Sequence, residues 1–341
     1  MIILISDIMD ISINYLGMKI SSPVIAGSCS ITGNVQNIKK IEQAGAGAVV
    51  LKSIFEEEIY HEYQNILSQE GHLFPEELDE YLDYYDYKIK EDNIKRYIEL
   101  IRNAKNEVGI PVVASINCAL SEEWIFFAKK VEEAGADALE LNLFVMPSDP
   151  EKECTDIEGV YLDIARKVTS TVKIPVAIKM SYHFSNLGGF VKKISSTDVK
   201  GVVLFNRFFH PDFDIDNFTV KPTNVLSTPS DLAVTLRWVS LLSGRLDSDL
   251  IASTGVHSPE ALIKLLLAGA DAVQVASALY TEGIGFISQL NDGLKSWMER
   301  HAFNNIDDFK GKMSQANSPN PALYERVQFM KYFGDKSYDL D

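Results

Sequence analysis

Six short apolar runs in this sequence of 341 residues close on polar groups of a kind that bind charged or planar ligands. Ser28-Cys29, Lys52-Ser53, Asn117, Asn142, Lys179 and Asn206-Arg207 each follow a stretch of β-forming residues. Ammonium and carboxamide groups at the ends of buried strands are costly to desolvate unless something fills the space they face. Two further runs end without bulk, at Thr254-Gly255-Val256 and at Ala276-Ser277. Turns of that composition leave backbone N–H groups pointing outward, which is how a main chain surrounds an anion such as a phosphate. Cations, amides and an anion cradle on one rim are the parts of a site for a planar, phosphorylated cofactor.

For these positions to converge, the elements carrying them must be parallel and end on one side. The sequence supports this with repetition. Gln43-Ala-Gly-Ala-Gly-Ala-Val-Val-Leu-Lys52, Glu133-Ala-Gly-Ala-Asp-Ala-Leu-Glu-Leu-Asn142 and Leu267-Ala-Gly-Ala-Asp-Ala-Val-Gln-Val-Ala276 each read as a helix end, a glycine cap and a strand. Ile110-Pro-Val-Val-Ala-Ser-Ile and Ile174-Pro-Val-Ala-Ile-Lys share a second phrase. With Pro23-Val-Ile-Ala, Gly201-Val-Val-Leu-Phe and Leu250-Ile-Ala they make eight short strands. Helical spacing falls between them at 34–44, 91–107, 121–134, 158–171, 187–196, 230–243 and 258–268, and again at 284–300. Ser258-Pro-Glu opens the helix at 258–268 with an N-cap hydroxyl and an early proline, and Gly269 closes it. Strict β/α alternation with apolar strands predicts a parallel sheet under helices, and eight units predict a closed (β/α)₈ TIM barrel forming a single domain over 1–341. No Gly-x-Gly-x-x-Gly turn follows the first strand, which disfavours an open dinucleotide-binding sheet. Active sites in such barrels lie at the C-terminal ends of the strands, where the polar residues above fall.

Two excursions interrupt the scheme on that same rim. Residues 54–92 follow the second strand as an acidic insertion rich in tyrosine (Tyr60, Tyr63, Tyr81, Tyr84, Tyr85, Tyr87) and are read either as a solvated flap or as a lid over the mouth. Residues 208–229 follow the sixth strand and hold three prolines and several aspartates. Residues 301–341 read as a C-terminal tail around the outside of the barrel. At the other end, Met1-Ile-Ile-Leu-Ile is too short to span a membrane, and Met9 is an alternative start just before the first patterned run. A formal net charge of −16 argues against a nucleic-acid partner. Three cysteines, at 29, 118 and 154, have no metal-ligand spacing, so no metal is expected, and their number suits a reducing cytoplasm. No run approaches the length of a membrane helix, and a soluble protein is expected.

Across nearly the whole barrel the pattern resembles the dihydroorotate dehydrogenase family, class 1. The resemblance is carried by Ser22-Pro-Val-Ile-Ala-Gly-Ser28, Leu51-Lys-Ser53, Glu140-Leu-Asn-Leu143, Ile178-Lys-Met180, Ser253-Thr-Gly255, Gly269-Ala-Asp-Ala-Val-Gln-Val-Ala-Ser-Ala-Leu279 and the tail segment Asp307-Asp-Phe-Lys-Gly-Lys-Met. It implies a barrel with FMN at its mouth that oxidises dihydroorotate to orotate in pyrimidine biosynthesis, by hydride transfer to flavin N5. It further implies that Ala26, Gly27 and Ser28 edge the isoalloxazine with Lys52 and Ser53 beside it. Asn142 would reach flavin and substrate, Lys179 the N1/O2 side of the ring, and Asn206 the substrate. Gly255, Val256, Ala276 and Ser277 would hold the phosphate. By the same analogy the protein is a cytoplasmic homodimer acting on a small molecule, without the membrane-docking helices of class 2.

The sequence departs from the family where the substrate sits. The loop after the fourth strand, in which the family carries a cysteine or serine base, reads Asn142-Leu-Phe-Val-Met-Pro147. The family's Asn-Ser-Met-Gly-Leu-Pro-Asn segment is absent from 54–92, and its glycine pair after the sixth unit is replaced by Ser227-Thr228. Substitute bases nearby are Cys154, Tyr182, His183 and His210. His183 is the first choice because an imidazole titrates near neutrality, and Cys154 is the second. Two other readings stay open: a flavin-free barrel aldolase or lyase with Lys179 as Schiff-base amine, and a flavin-binding protein without catalysis.

Overall fold

The computed structural model describes residues 9–55, 78–117, 121–207 and 210–325. It begins with an antiparallel hairpin of β1 (Ile13–Tyr15) and β2 (Met18–Ile20), paired Ile13 to Ile20. The barrel follows as β3 (Val24–Ala26), β4 (Ala48–Val50), a two-residue continuation β5 (Ile54–Phe55), β6 (Val112–Asn117), β7 (Ala138–Asn142), β8 (Val176–Met180) and β9 (Gly201–Leu204). A second antiparallel hairpin, β10 (His210–Asp214) and β11 (Thr219–Thr223), precedes the last barrel strands β12 (Asp249–Ser253) and β13 (Ala272–Val275). All barrel pairings are parallel, in the order β4-β3-β13-β12-β9-β8-β7-β6, and the pairing of Val49 with Val112 closes the ring. The fold is therefore the (β/α)₈ TIM barrel.

Helices alternate with the strands: α1 (Val35–Gln43), α2 (Leu78–Glu107), α3 (Ser121–Glu133), α4 (Cys154–Thr169), α5 (Leu187–Ser195), α6 (Leu232–Leu242) and α7 (Pro259–Ala268). A short α8 (Ser277–Thr281), then α9 (Phe286–Arg300) and α10 (Ala322–Glu325), complete the set. The caps form as the sequence predicts. Ser258 Oγ accepts from the Ala261 amide at 3.3 Å at the start of α7, and Gly269 ends it with φ 108°. Over 54–92 the chain is helical from Leu78 onward, earlier than the spacing predicts; the lid tyrosine side chains (Tyr60, Tyr63, Tyr81, Tyr84, Tyr85, Tyr87) lie outside the described residues. The described part of the tail, as far as residue 325, packs outside the barrel, with the Gly311 and Met313 amides donating to Leu266 and Leu267 carbonyls and the Gln315 amide to Ser240; residues 326–341 lie outside the described residues.

Strand alternation divides the core in two. Outward-facing residues such as Val49, Leu139, Ile178 and Val273 pack under the helices. Inward-facing Ile25, Ala48, Val50, Val113, Ala138, Ala177, Val203, Ile251 and Ala272 form a separate cluster with Tyr15, Leu16 and Ile20 of the first hairpin, which plugs the N-terminal end. Gly201 makes room for the plug, because a Cβ there would lie 2.5 Å from Leu16 Cδ2 and 2.6 Å from Ile251 Cδ1. Two residues further along the strands, the inward side chains become polar: Ser115, Glu140, Lys179 and Gln274. Two further still lies the mouth.

Candidate active site

The mouth opens into a cavity of about 340 Å³, within the roughly 300–1,000 Å³ usual for cofactor and ligand sites. Its described walls are the strand ends singled out from the sequence. Ser28, Lys52, Ser53, Asn142, Lys179, Asn206, Gly255, Val256, Ala276 and Ser277 all line it. Ala26 and Gly27 complete the β3 end just behind, with the Gly27 amide bonded to the Val275 carbonyl at 2.8 Å. Lys52, Lys179 and Arg207 reach the cavity, whereas none of its described lining residues is an aspartate or glutamate. In a chain of net charge −16 this is a local reversal of sign, and it suits an anionic occupant.

The floor is a buried polar relay. Lys179 Nζ donates to Gln274 Oε1 at 2.9 Å, and Gln274 Nε2 donates to Glu140 Oε2 at 2.5 Å. Glu140 is fully buried, and its Oε1 lies 3.7 Å from Lys179 Nζ. A carboxylate in that position is tolerable only because a cation and an amide face it. At the ends of β3 and β4 and within β6, Ser28, Ser53 and Ser115 form a hydroxyl chain at 3.0 and 2.7 Å, and Ser28 Oγ also accepts from the Ser53 amide. The Tyr97 hydroxyl of α2 ties down Ser115, accepting from its amide at 2.8 Å and donating to its carbonyl at 2.9 Å. Burial pushes the Tyr97 phenol well above its usual range, so it serves as a neutral donor.

Asn206 stands buried at the end of β9. Its Nδ2 donates to the carbonyls of Leu143 at 3.1 Å and Lys179 at 3.2 Å, stitching three strand ends together. Asn142 Oδ1 is buried with no hydrogen-bond partner among the described residues and lines the cavity. The turn after β12 and the entry to α8 form one side of the cavity. Thr254 and Gly255 both hold positive φ, 85° and 81°. At Gly255 a Cβ would lie 2.2 Å from the Leu232 amide nitrogen, so only glycine lets the turn pack on α6.

The residues 208–229, read from sequence as an irregular excursion, contain the β10–β11 hairpin instead. Its prolines pair with each other, Pro211 against Pro222, on a two-stranded ribbon whose outer edges need no amide. The return leg crosses the rim: Arg207 donates to the carbonyls of Asn224 and Val225, and the Ser227 amide donates to Ser277 Oγ at 3.0 Å. Ser227 Oγ pairs with His257 Nε2 at 2.9 Å. Sequence reasoning passed over Gln274, Glu140 and His257 as functional groups. For Gln274 the signal was present, since it is a polar residue inside an apolar strand.

Of the four candidate bases, neither the first choice His183 nor Cys154, Tyr182 or His210 lines the main cavity. Cys154 is exposed in the first turn of α4. His183 follows Tyr182, with ring centroids 4.5 Å apart. Tyr182 and His210 line a small annex of about 50 Å³ that shares Phe205, Asn206, Arg207 and Thr254 with the main cavity. Burial, and then the neighbouring charge of His210, hold the His183 imidazole below its ordinary value, which favours the neutral, proton-accepting form. Of the two described cysteines, Cys29 reaches the main cavity wall. Among the described residues no group of histidine, cysteine and carboxylate side chains is placed to hold a metal, and no helix is long and apolar enough to cross a membrane.

A model of the dihydroorotate dehydrogenase family matches residues 10–298, most of the chain and all eight barrel strands. The chain belongs to the dihydroorotate dehydrogenase family. It is similar to the protein named dihydroorotate dehydrogenase B (NAD(+)), catalytic subunit, of Thermoplasma volcanium, at 29% identity over 317 residues covering 89% of this chain and 98% of that one. The protein of the same name from Thermoplasma acidophilum is 28% identical over 317 residues, covering 89% and 98%. That of Methanocella arvoryzae is 29% identical over 304 residues, covering 86% and 94%. Membership of the dihydroorotate dehydrogenase family makes this chain an oxidoreductase of that type.

Proposed function

We propose that this protein is an FMN-dependent oxidoreductase that removes two hydrogens across a CH–CH bond of a small acid related to dihydroorotate, and that it forms one domain acting as a homodimer. The observation that carries the reading is the convergence of Lys52, Lys179, Asn142 and the turns at Gly255–Val256 and Ala276–Ser277 on one cavity that has no aspartate or glutamate among its described lining residues. The fit to FMN rests on three features: an orphaned buried acceptor at Asn142, a buried cation at Lys179, and a glycine turn that only glycine can make.

Gly255, Val256, Ala276 and Ser277 would hold the phosphate, and Ala26, Gly27, Ser28, Lys52 and Ser53 would flank the ring. FMN, when bound, supplies the acceptor for a hydride lost from the substrate carbon. Lys179 would place its positive charge against the side of the ring that becomes electron-rich, and the Gln274–Glu140 relay keeps that ammonium from swinging away. Asn142 and Asn206 would orient the substrate. His183, beside Tyr182 of the annex and with its imidazole pKa lowered by burial, would take the substrate proton in place of the absent loop cysteine. The Schiff-base reading is disfavoured because Lys179 is engaged as a cation by Gln274 and Glu140, while attack on a carbonyl needs a lone pair.

Purified protein saturated with FMN, mixed anaerobically with dihydroorotate and a panel of dihydropyrimidine and saturated carboxylic acids, tests the reading. Bleaching of the flavin by a member of the panel is the expected result. Tight FMN binding with no bleaching by any of them would instead mark a flavin-binding protein without this catalysis.

A further inference from the structure

The cradle contains more than bare amides. The return leg from β11 brings Ser227 to the cavity. The Ser227 amide is consumed by Ser277 Oγ at 3.0 Å, so it is not available to an anion. The Ser227 hydroxyl, by contrast, is at the cavity wall. Ser227 is buried, lines the cavity together with Gly255, Val256, Ala276 and Ser277, and has its Oγ 2.9 Å from His257 Nε2. His257 sits between the Gly255-Val256 turn and the Ser258 cap of α7, so its ring is carried by the same segment that forms the cradle.

We infer that Ser227 Oγ is a direct ligand of the anion in this cradle, the FMN phosphate, and that His257 is its positioning residue. The inference rests on the FMN reading above and adds side-chain recognition to it. With Nε2 protonated, His257 donates to Ser227 Oγ; the hydroxyl proton is then left to point into the cavity toward the only kind of partner that needs it, an acceptor. Ser277 Oγ, by taking the Ser227 amide, fixes the φ/ψ of Ser227 and with it the direction of that hydroxyl. No covalent step is involved.

The test compares FMN with riboflavin, which lacks the phosphate, by equilibrium fluorescence titration of the full-length apoprotein and its variants. S227A is expected to weaken FMN binding by about ten-fold or more, the usual consequence of losing a hydrogen bond to a charged group, and to leave riboflavin binding unchanged. S227T, which keeps a hydroxyl, is expected to retain FMN affinity. H257F should weaken FMN in the same direction, and H257Q, which can still donate to Ser227, should restore most of the loss. Equal weakening of both flavins by S227A, or no change in either, overturns the inference while leaving the FMN reading intact. Failure of the wild-type protein to bind FMN at all would remove both.

Discussion

The Lys179 ammonium and the Glu140 carboxylate face each other inside the barrel, 3.7 Å apart, with Gln274 bridging them by one hydrogen bond to each. They belong to neighbouring strands, and since Glu140 pairs with Ala177 and Asn142 with Lys179, the lysine stands two residues nearer the mouth than the carboxylate. The pair is costly to bury and is retained where it can set the position of a cation beneath a ligand.

Removing one member should therefore cost more than removing both. K179M leaves Glu140 buried without its cation and is expected to destabilise the fold by about 3–5 kcal/mol. The double variant E140Q/K179M should recover much of that, a coupling that a denaturant-unfolding double-mutant cycle measures directly. Additive losses would mean that the two charges do not interact.

Gly255 is required twice, by its left-handed backbone and by its contact with Leu232. G255A should lower stability by about 2–3 kcal/mol and also weaken FMN binding, because the turn can relieve the clash only by moving out of the cradle. Thermal unfolding with and without FMN separates the two effects. A variant that keeps wild-type stability and affinity would show that the turn is not held as described.

His183 and Cys154 were both legible as candidate bases, and their surroundings now distinguish them. H183Q is expected to lower the rate of flavin reduction by a reactive substrate by about 10²–10⁴-fold, the usual worth of a general base, while FMN stays bound. C154A, on an exposed helix turn, should leave the rate unchanged. Stopped-flow reduction under anaerobic conditions reads both. Loss of the rate in C154A alone would reverse the assignment.

Asp249, at the base of β12, accepts from the Leu16 amide at 2.6 Å and ties the plug hairpin to the barrel. Burial raises its carboxyl above the ordinary value of 3.8, so the folded state binds the proton more tightly than the unfolded one. Its ionisation therefore opposes folding at neutral pH, and the penalty fades as pH falls through the raised value toward 3.8. D249N keeps an acceptor for Leu16 and should melt above the wild type at pH 7, with the two converging in acid. A D249N protein less stable than wild type at pH 7 would contradict the sign.

The barrel was readable because its strands are short apolar runs punctuated by glycine, and because one phrase recurs before three of them. The rim residues followed from that, since strand ends carry them to one side. Pairings across the lumen were not readable. Gln274 and Glu140 are 134 residues apart, and only closure of the ring makes them neighbours. Nothing in the sequence marks His257, whose partner Ser227 is brought to it only by the return leg from β11. The β10–β11 hairpin was hidden by prolines that usually mark loops. Its alternation was nonetheless present, in the cross-strand pair Phe213 and Val220 on either side of a turn where Asp214 Oδ1 accepts from the Asp216 and Asn217 amides.

The most direct measurement is the flavin content and FMN affinity of the purified full-length protein. One FMN per chain, held more tightly than riboflavin and weakened by substitution of Lys179, is the expected result. A colourless protein that takes up no FMN at millimolar concentration would contradict the assignment of this cavity.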